Sequence, residues 1–125
     1  MTSRVGHAIR VGIALLALAA VAYVVMFARA RAETGIASYY SYESGARRAD
    51  GHRFRPLEVT CAHRRLPFGT VVRVTDRDTG RSIRCPIADR GPFIRGRIID
   101  LSLGAARALG IVGRGIAHVR VSVER

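Results

Sequence analysis

Apolar residues recur at every second position in several short stretches of this 125-residue chain, and glycine, proline or aspartate closes each stretch. TVVRVTD (Thr70–Asp76) alternates, turns at Asp78-Thr79-Gly80, and returns as RSIRCPIAD (Arg81–Asp89). AHVRVSVE (Ala117–Glu124) alternates again, with Val119, Val121 and Val123 on one side. A period of two marks a strand with one buried face. GIASYYS (Gly35–Ser41) and GRIIDL (Gly96–Leu101) read as further strands, and LEVTCAH (Leu57–His63) as a short strand or a turn of helix. Pro86 lies inside RSIRCPIAD and has no N–H to donate, which predicts an edge or an irregular pairing there. Glu43–Pro56 is polar and carries glycine, the composition of a long loop. Only one short helix is expected. Ser102 stands at its N-cap, Leu103, Ala106 and Leu109 share a face, and Gly110 closes it. About six short strands and one helix suit a small closed β-barrel, which leaves no edge strand exposed.

The first thirty residues follow another rule. Arg4 and Arg10 precede Val11–Ala28, 18 residues without a charge. Basic first and apolar second is the order of a secretory signal, and Ala28-Arg29-Ala30 and Ala30-Arg31-Ala32 offer small residues at cleavage spacing. The same run reaches the ~18 residues that span a bilayer, so a retained anchor is the competing reading. The chain therefore divides into 1–32, signal peptide or N-terminal anchor, and 33–125, the barrel domain. Both readings place the domain in the periplasm or cell envelope. No cysteine follows the apolar run to take a lipid.

Charge is the second constraint. There is no lysine; of 21 arginines, four lie at positions 4, 10, 29 and 31, leaving 17 against 9 acidic residues in the domain. A cationic domain attracts anionic partners at long range. For an exported one these are wall polymer and anionic headgroups. The absence of a basic run interleaved with aromatics argues against nucleic acid. Cys61 and Cys85, 24 positions apart and without a CxxC neighbour, are not spaced as a metal or redox site. They either form a disulfide, which an oxidising compartment allows, or are two separately buried small side chains.

These segments carry a resemblance. GIASYY, TCAHRRLPFGTVVRVTDRDTGRSI, ADRGPFIRGRIIDLSLGAARALG and HVRVSV together resemble the RlpA-like double-psi β-barrel family, over roughly residues 34 to 123. That family includes septal lytic transglycosylases of peptidoglycan, and is similar at greater distance to expansin and barwin barrels. The resemblance implies a six-stranded barrel with a groove for a glycan strand. It implies a peptidoglycan lytic transglycosylase, a lyase of wall biogenesis and organisation, needing no cofactor or metal. A non-catalytic, expansin-like wall-binding module is the alternative. Expected partners are glycan strands, with anionic membrane or cell-division proteins as further candidates and a monomer as the working unit.

Position by position, the resemblance makes Asp89 of DRGPF the acidic groove residue and His63 of TCAH the groove histidine. Tyr39 and Tyr40 fall where the family places aromatics facing sugar. Three departures stand out. His52 and Arg55 of DGHRFR occupy the positions of a glutamate and an aspartate in family members that carry NGExFD. The lipoprotein cysteine is missing, and the C-terminal peptidoglycan-binding domain of some members does not follow within these residues.

Cleaving a glycosidic bond needs a proton delivered to the leaving oxygen. In lytic transglycosylation the muramoyl 6-hydroxyl then attacks its own anomeric carbon, so one carboxyl can serve first as acid and then as base. Asp89 is the expected general acid/base, against the plainer reading of an aspartate shaping the Arg90-Gly91-Pro92 turn. His63, His52, Tyr39, Tyr40 and Arg90 are the expected substrate contacts. Alternation puts the two tyrosines on opposite faces, so one belongs to the core. Asp100, Ser102, Gly91 and Pro92 are expected to be structural.

Overall fold

The computed structural model describes residues 2–30, 32–40 and 47–124, and divides into a unit of Met1–Arg31 and a unit of Ala32–Arg125. The first unit is one helix, α1 (Thr2–Ala30). Its stretch Arg4–Val24 is long and apolar enough to cross a membrane, and the described side chains there are almost all exposed. Nothing within the unit covers that apolar surface.

The second unit is a closed six-stranded barrel with one short helix. Its strands are β1 (Ala32–Tyr40), β2 (Cys61–Ala62), β3 (Val71–Asp76), β4 (Ser82–Asp89), β5 (Arg97–Ser102) and β6 (Ile116–Val123). Around the barrel they run β1-β5-β2-β4-β3-β6. β1 lies parallel to β5 and β2 parallel to β4, while the remaining neighbours are antiparallel. The alternation read in the sequence is the alternation of burial. Val72 and Val74 of β3, and Ala117, Val119 and Val121 of β6, turn inward onto Ile87, Ile99 and Leu101.

Helix α2 (Leu103–Leu109) begins and ends as its residues dictate. The Ser102 hydroxyl accepts from the Ala105 N–H, and Gly110 closes the helix in the left-handed region at φ 81°. Ser102 does more than cap. Its Oγ also accepts from the Thr60 N–H at 3.2 Å and donates to the Glu58 carbonyl at 2.6 Å, tying the helix start to the segment before β2. Gly104 sits against that segment so closely that a β-carbon would lie 2.2 Å from the Leu57 carbonyl oxygen.

Three local expectations change. Pro86 is not on an edge, because a closed barrel has none; it pairs with Val71 of β3, and the irregular pairing that was the other expectation is present beside it as a register shift between β2 and β4. It is tolerated because β2 has two residues and pairs with β4 only at Ile87 and Asp89. Leu57–His63 contributes just those two strand residues, Cys61 and Ala62. Within the expected loop Glu43–Pro56, residues 47–53 form a small hairpin closed by a bridge between Arg47 and Arg53, with Gly51 turning it at φ 88°. Ser41 and the loop's positions 43–46 lie outside the described residues.

Cys61 and Cys85 are joined as a disulfide with their Cα atoms 5.9 Å apart, both fully buried. The bond ties β2 to β4 beneath the row of residues described next.

Candidate functional site

Strand register assembles the site. Ala62 of β2 is opposite Asp89 of β4 on one side and Asp100 of β5 on the other. Asp100 is in turn opposite Ser38 of β1. Residues opposite one another share a face of the sheet, so Asp89, Ala62, Asp100 and Ser38 form a row across four strands. The two aspartates are two strand spacings apart, about 10 Å between Cα atoms. Only the methyl group of Ala62 stands between them; it is itself buried, while both aspartates are half-buried. Tyr40 follows Ser38 by two positions and lies on the same face.

The two carboxylates are held differently. Asp89 Oδ1 accepts two backbone N–H bonds, from Ala49 and from Arg90, both at 2.9 Å. The Ala49 bond docks the 47–53 hairpin on the end of β4, helped by Asp50 N–H donating to the Ala88 carbonyl at 3.3 Å. Asp100 Oδ1 accepts the Ser38 hydroxyl at 2.5 Å. Its Oδ2 accepts no hydrogen bond among the described residues, and faces Gly91, which has no side chain.

Tyr40 connects the pair. Burial, then the negative charge of Asp89 and to a lesser degree that of Asp100, push its phenol up to about 12. Thr60 lies near enough to offset part of that rise, yet neither Tyr40 Oη nor Thr60 Oγ1 has hydrogen-bond geometry to a partner, and both oxygens are buried. Tyr40 is thus an un-ionised donor beside two carboxylates, with its ring centroid 5.2 Å from that of Phe54.

The other expected contacts are placed elsewhere. His63 is only 8% exposed. Its Nδ1 accepts the Arg65 and Leu66 N–H groups at 3.1 Å, which leaves the proton on Nε2 to donate to Glu33 at 3.2 Å. It shapes the turn after β2, and only its backbone N–H meets Asp89, at the carbonyl oxygen. Arg90 braces the same turn: Nη1 donates to the carbonyls of Leu66 at 2.8 Å and His63 at 3.2 Å, and the guanidinium lies 3.9 Å over the Phe68 ring. Tyr39 points away from Tyr40, packs on the core and donates its hydroxyl to the Val112 carbonyl at 3.1 Å. His52 is at the hairpin tip with its side chain 75% exposed, 3.4 Å from Asp50. Gly91, at φ 123°, and Pro92, joined by a cis peptide bond, make the turn that carries the chain past Asp100.

Arg48 and Asp50 escaped the sequence reading. Burial pushes the Asp50 carboxyl up, but the paired Arg48 guanidinium and the His52 N–H together hold it below the usual range. Arg48 bonds Asp50 at 2.9 Å and Glu58 at 3.5 Å, stapling the hairpin to the segment before β2. Asp76 was missed as well. It is fully buried and paired with Arg114, and accepts the Asp78 N–H at 2.9 Å, on the β3–β4 turn. The only sequence signal was an acidic residue ending an alternating strand. Among the described residues no group of three or more His, Cys, Asp or Glu could hold a metal ion.

Residues 32–121 match the family described as Lytic transglycolase. Relatives include the probable endolytic peptidoglycan transglycosylase RlpA of Nostoc sp., 56% identical over 92 residues, which is 71% of this chain and 25% of the relative. The endolytic peptidoglycan transglycosylase RlpA of Pasteurella multocida is 44% identical over 93 residues, 74% of this chain and 32% of that one. The chain thus spans between 25% and 41% of the length of such curated relatives. Among solved structures, Streptomyces papain inhibitor superposes with a TM-score of 0.61 at 26% identity, covering 75% of this chain and 94% of its own. A Clavibacter michiganensis expansin in complex with cellohexaose superposes with a TM-score of 0.59 at 25% identity, covering 75% of this chain and 50% of that one.

Proposed function

The chain belongs to the lytic transglycolase family of double-psi β-barrels, and from that premise we propose that its barrel cleaves peptidoglycan glycan strands to anhydromuramoyl ends. The observation that carries the reading is the row Asp89–Ala62–Asp100–Ser38, two half-buried carboxylates flanking one small side chain with an un-ionised phenol beside them. A glycan strand laid along the half-buried aspartates brings a glycosidic oxygen within reach of a carboxyl.

Asp89, the acid expected from the sequence, shares the row with Asp100, and in this reading Asp100 carries the proton transfer. One oxygen of Asp89 is committed to two backbone donors that fix the hairpin. Asp100 is oriented by Ser38; the Oδ2 atoms of both aspartates accept no hydrogen bond among the described residues, and that of Asp100 faces Gly91, which has no side chain. In this mechanism Asp100 protonates the leaving glycosidic oxygen. The resulting carboxylate then accepts the proton of the muramoyl 6-hydroxyl as that oxygen closes on the anomeric carbon. No water needs activating, so a single acid suffices. Asp89 holds the hairpin wall and adds negative charge near the oxocarbenium-like centre, while the buried, un-ionised Tyr40 phenol adds none.

Export belongs to the same proposal. Helix α1 serves as signal or anchor and delivers the barrel to the envelope, where the cationic surface meets wall polymer or anionic headgroups.

One observation favours the second reading, binding without cleavage. His52 stands where some family members carry glutamate, and its exposed position brings no further carboxyl to the row. Digestion of sacculi and of peptide-stripped strands, with mass spectrometry of the products, separates the two. Anhydromuramoyl ends from the wild-type protein support cleavage; bound but uncut strands select the binding module.

A further inference from the structure

The turn between β4 and β5 presents an aromatic ring to solvent. Phe93 is 80% exposed, more than any other large apolar side chain among the described residues of the barrel. The other described barrel rings are engaged: Phe54 on Tyr40, Phe68 under Arg90, and Tyr39 against the core. An exposed phenylalanine alone carries little meaning. The position of this one does. Gly91 has φ 123°, a backbone conformation that favours glycine, and a β-carbon built there would lie 3.6 Å from the Phe93 ring and 3.8 Å from Asp100 Oδ2. One side-chain-free point therefore lies within 4 Å of both an exposed aromatic ring and the open oxygen of the site's carboxyl.

We propose that Phe93 is the stacking platform of the glycan site, holding the apolar C–H face of an N-acetylhexosamine ring beside Asp100. Pyranose chairs with equatorial substituents present axial hydrogens on one face, and these pack on a flat ring through dispersion and the negative quadrupole of the aromatic face. Gly91 keeps side-chain atoms out of the space between the ring and the carboxyl. The inference rests on the glycan-cleaving reading and adds the residue that positions the substrate.

The test uses the full chain in detergent with Asp100→Asn to stop turnover, titrated with soluble peptide-stripped glycan oligomers. Phe93→Ala is expected to weaken binding about 3- to 10-fold, the range of a single aromatic contact. Phe93→Leu, apolar but without a flat face, should behave like alanine, and Phe93→Trp should bind at least as well as phenylalanine. Melting temperature should not move, because the ring is exposed. Unchanged binding by Phe93→Ala, full recovery in Phe93→Leu, or a lowered melting temperature in Phe93→Ala each overturns the inference. If the parent protein binds glycan and Phe93→Ala binds equally, the stacking platform fails and the glycan reading survives. If the parent binds no glycan, both fail.

Discussion

At the scale of the residue, the sequence named the chemistry and the register assigned it. Asp89 and Asp100 are both visible as aspartates near the DRGPF turn, but their separation into a groove acid and a structural acid rests on the family resemblance for Asp89 and on local context for Asp100. Pairing across Ala62 puts them on one face; backbone N–H groups hold Asp89 Oδ1, the Ser38 hydroxyl holds Asp100 Oδ1, and Asp100 Oδ2 faces Gly91. His63 and Arg90 show the converse. Their side chains looked available for substrate and are instead spent on backbone groups of the 63–66 turn, a use that no spacing rule reveals. Tyr40 gives a pH test. Its phenol is near 10 when unfolded and is held up to about 12 in the fold, so the folded protein keeps a proton that the unfolded chain releases. Its contribution to stability is whole below pH 10 and is lost as pH climbs towards 12. Melting curves across that window should fall less steeply for Tyr40→Phe than for the wild-type protein; parallel curves would contradict the burial and charge around the phenol.

Secondary-structure elements were the most legible level. Alternation gave β3, β4 and β6, and capping chemistry placed α2 to the residue, because both signals are local. Strand β2 was not legible, since two residues carry no period, and its partners on both sides are distant in sequence. The 47–53 hairpin was hidden for a similar reason: its docking depends on Asp89, forty positions away from Ala49. Gly104 supplies the prediction at this scale. Alanine there would drive a β-carbon into the Leu57 carbonyl, backbone that has no flexible end to yield. Gly104→Ala should cost roughly 3 kcal/mol, at the upper end of overpacking penalties, despite alanine's better helix propensity. Chemical denaturation reads this directly, and a stabilised Gly104→Ala would mean that α2 does not press on the segment before β2.

Across the whole molecule, a short barrel is built from non-local pairings and secured by one covalent link between β2 and β4. Reduction of Cys61–Cys85 opens a loop spanning 24 positions and should lower stability by about 3 kcal/mol, measured as a shift in denaturation midpoint with and without reductant. An unchanged midpoint would show that the two-residue β2 is held by its ladders alone. The barrel count was readable from the number of short strands, and the family match over residues 32–121 agrees with it. The site was readable only in part, because it is made by four strands brought into register rather than by any one segment. That register is also the basis of the central claim, that the Asp100 carboxyl of the row carries the reaction. Its most direct test is the yield of anhydromuramoyl ends from peptide-stripped glycan strands, compared between wild type, Asp100→Asn and Asp89→Asn. The account predicts anhydro product from wild type and a loss of about a hundredfold or more in Asp100→Asn with glycan binding intact. Asp89→Asn should lose less. Wild-type product that persists undiminished in Asp100→Asn, or collapses only in Asp89→Asn, would contradict it.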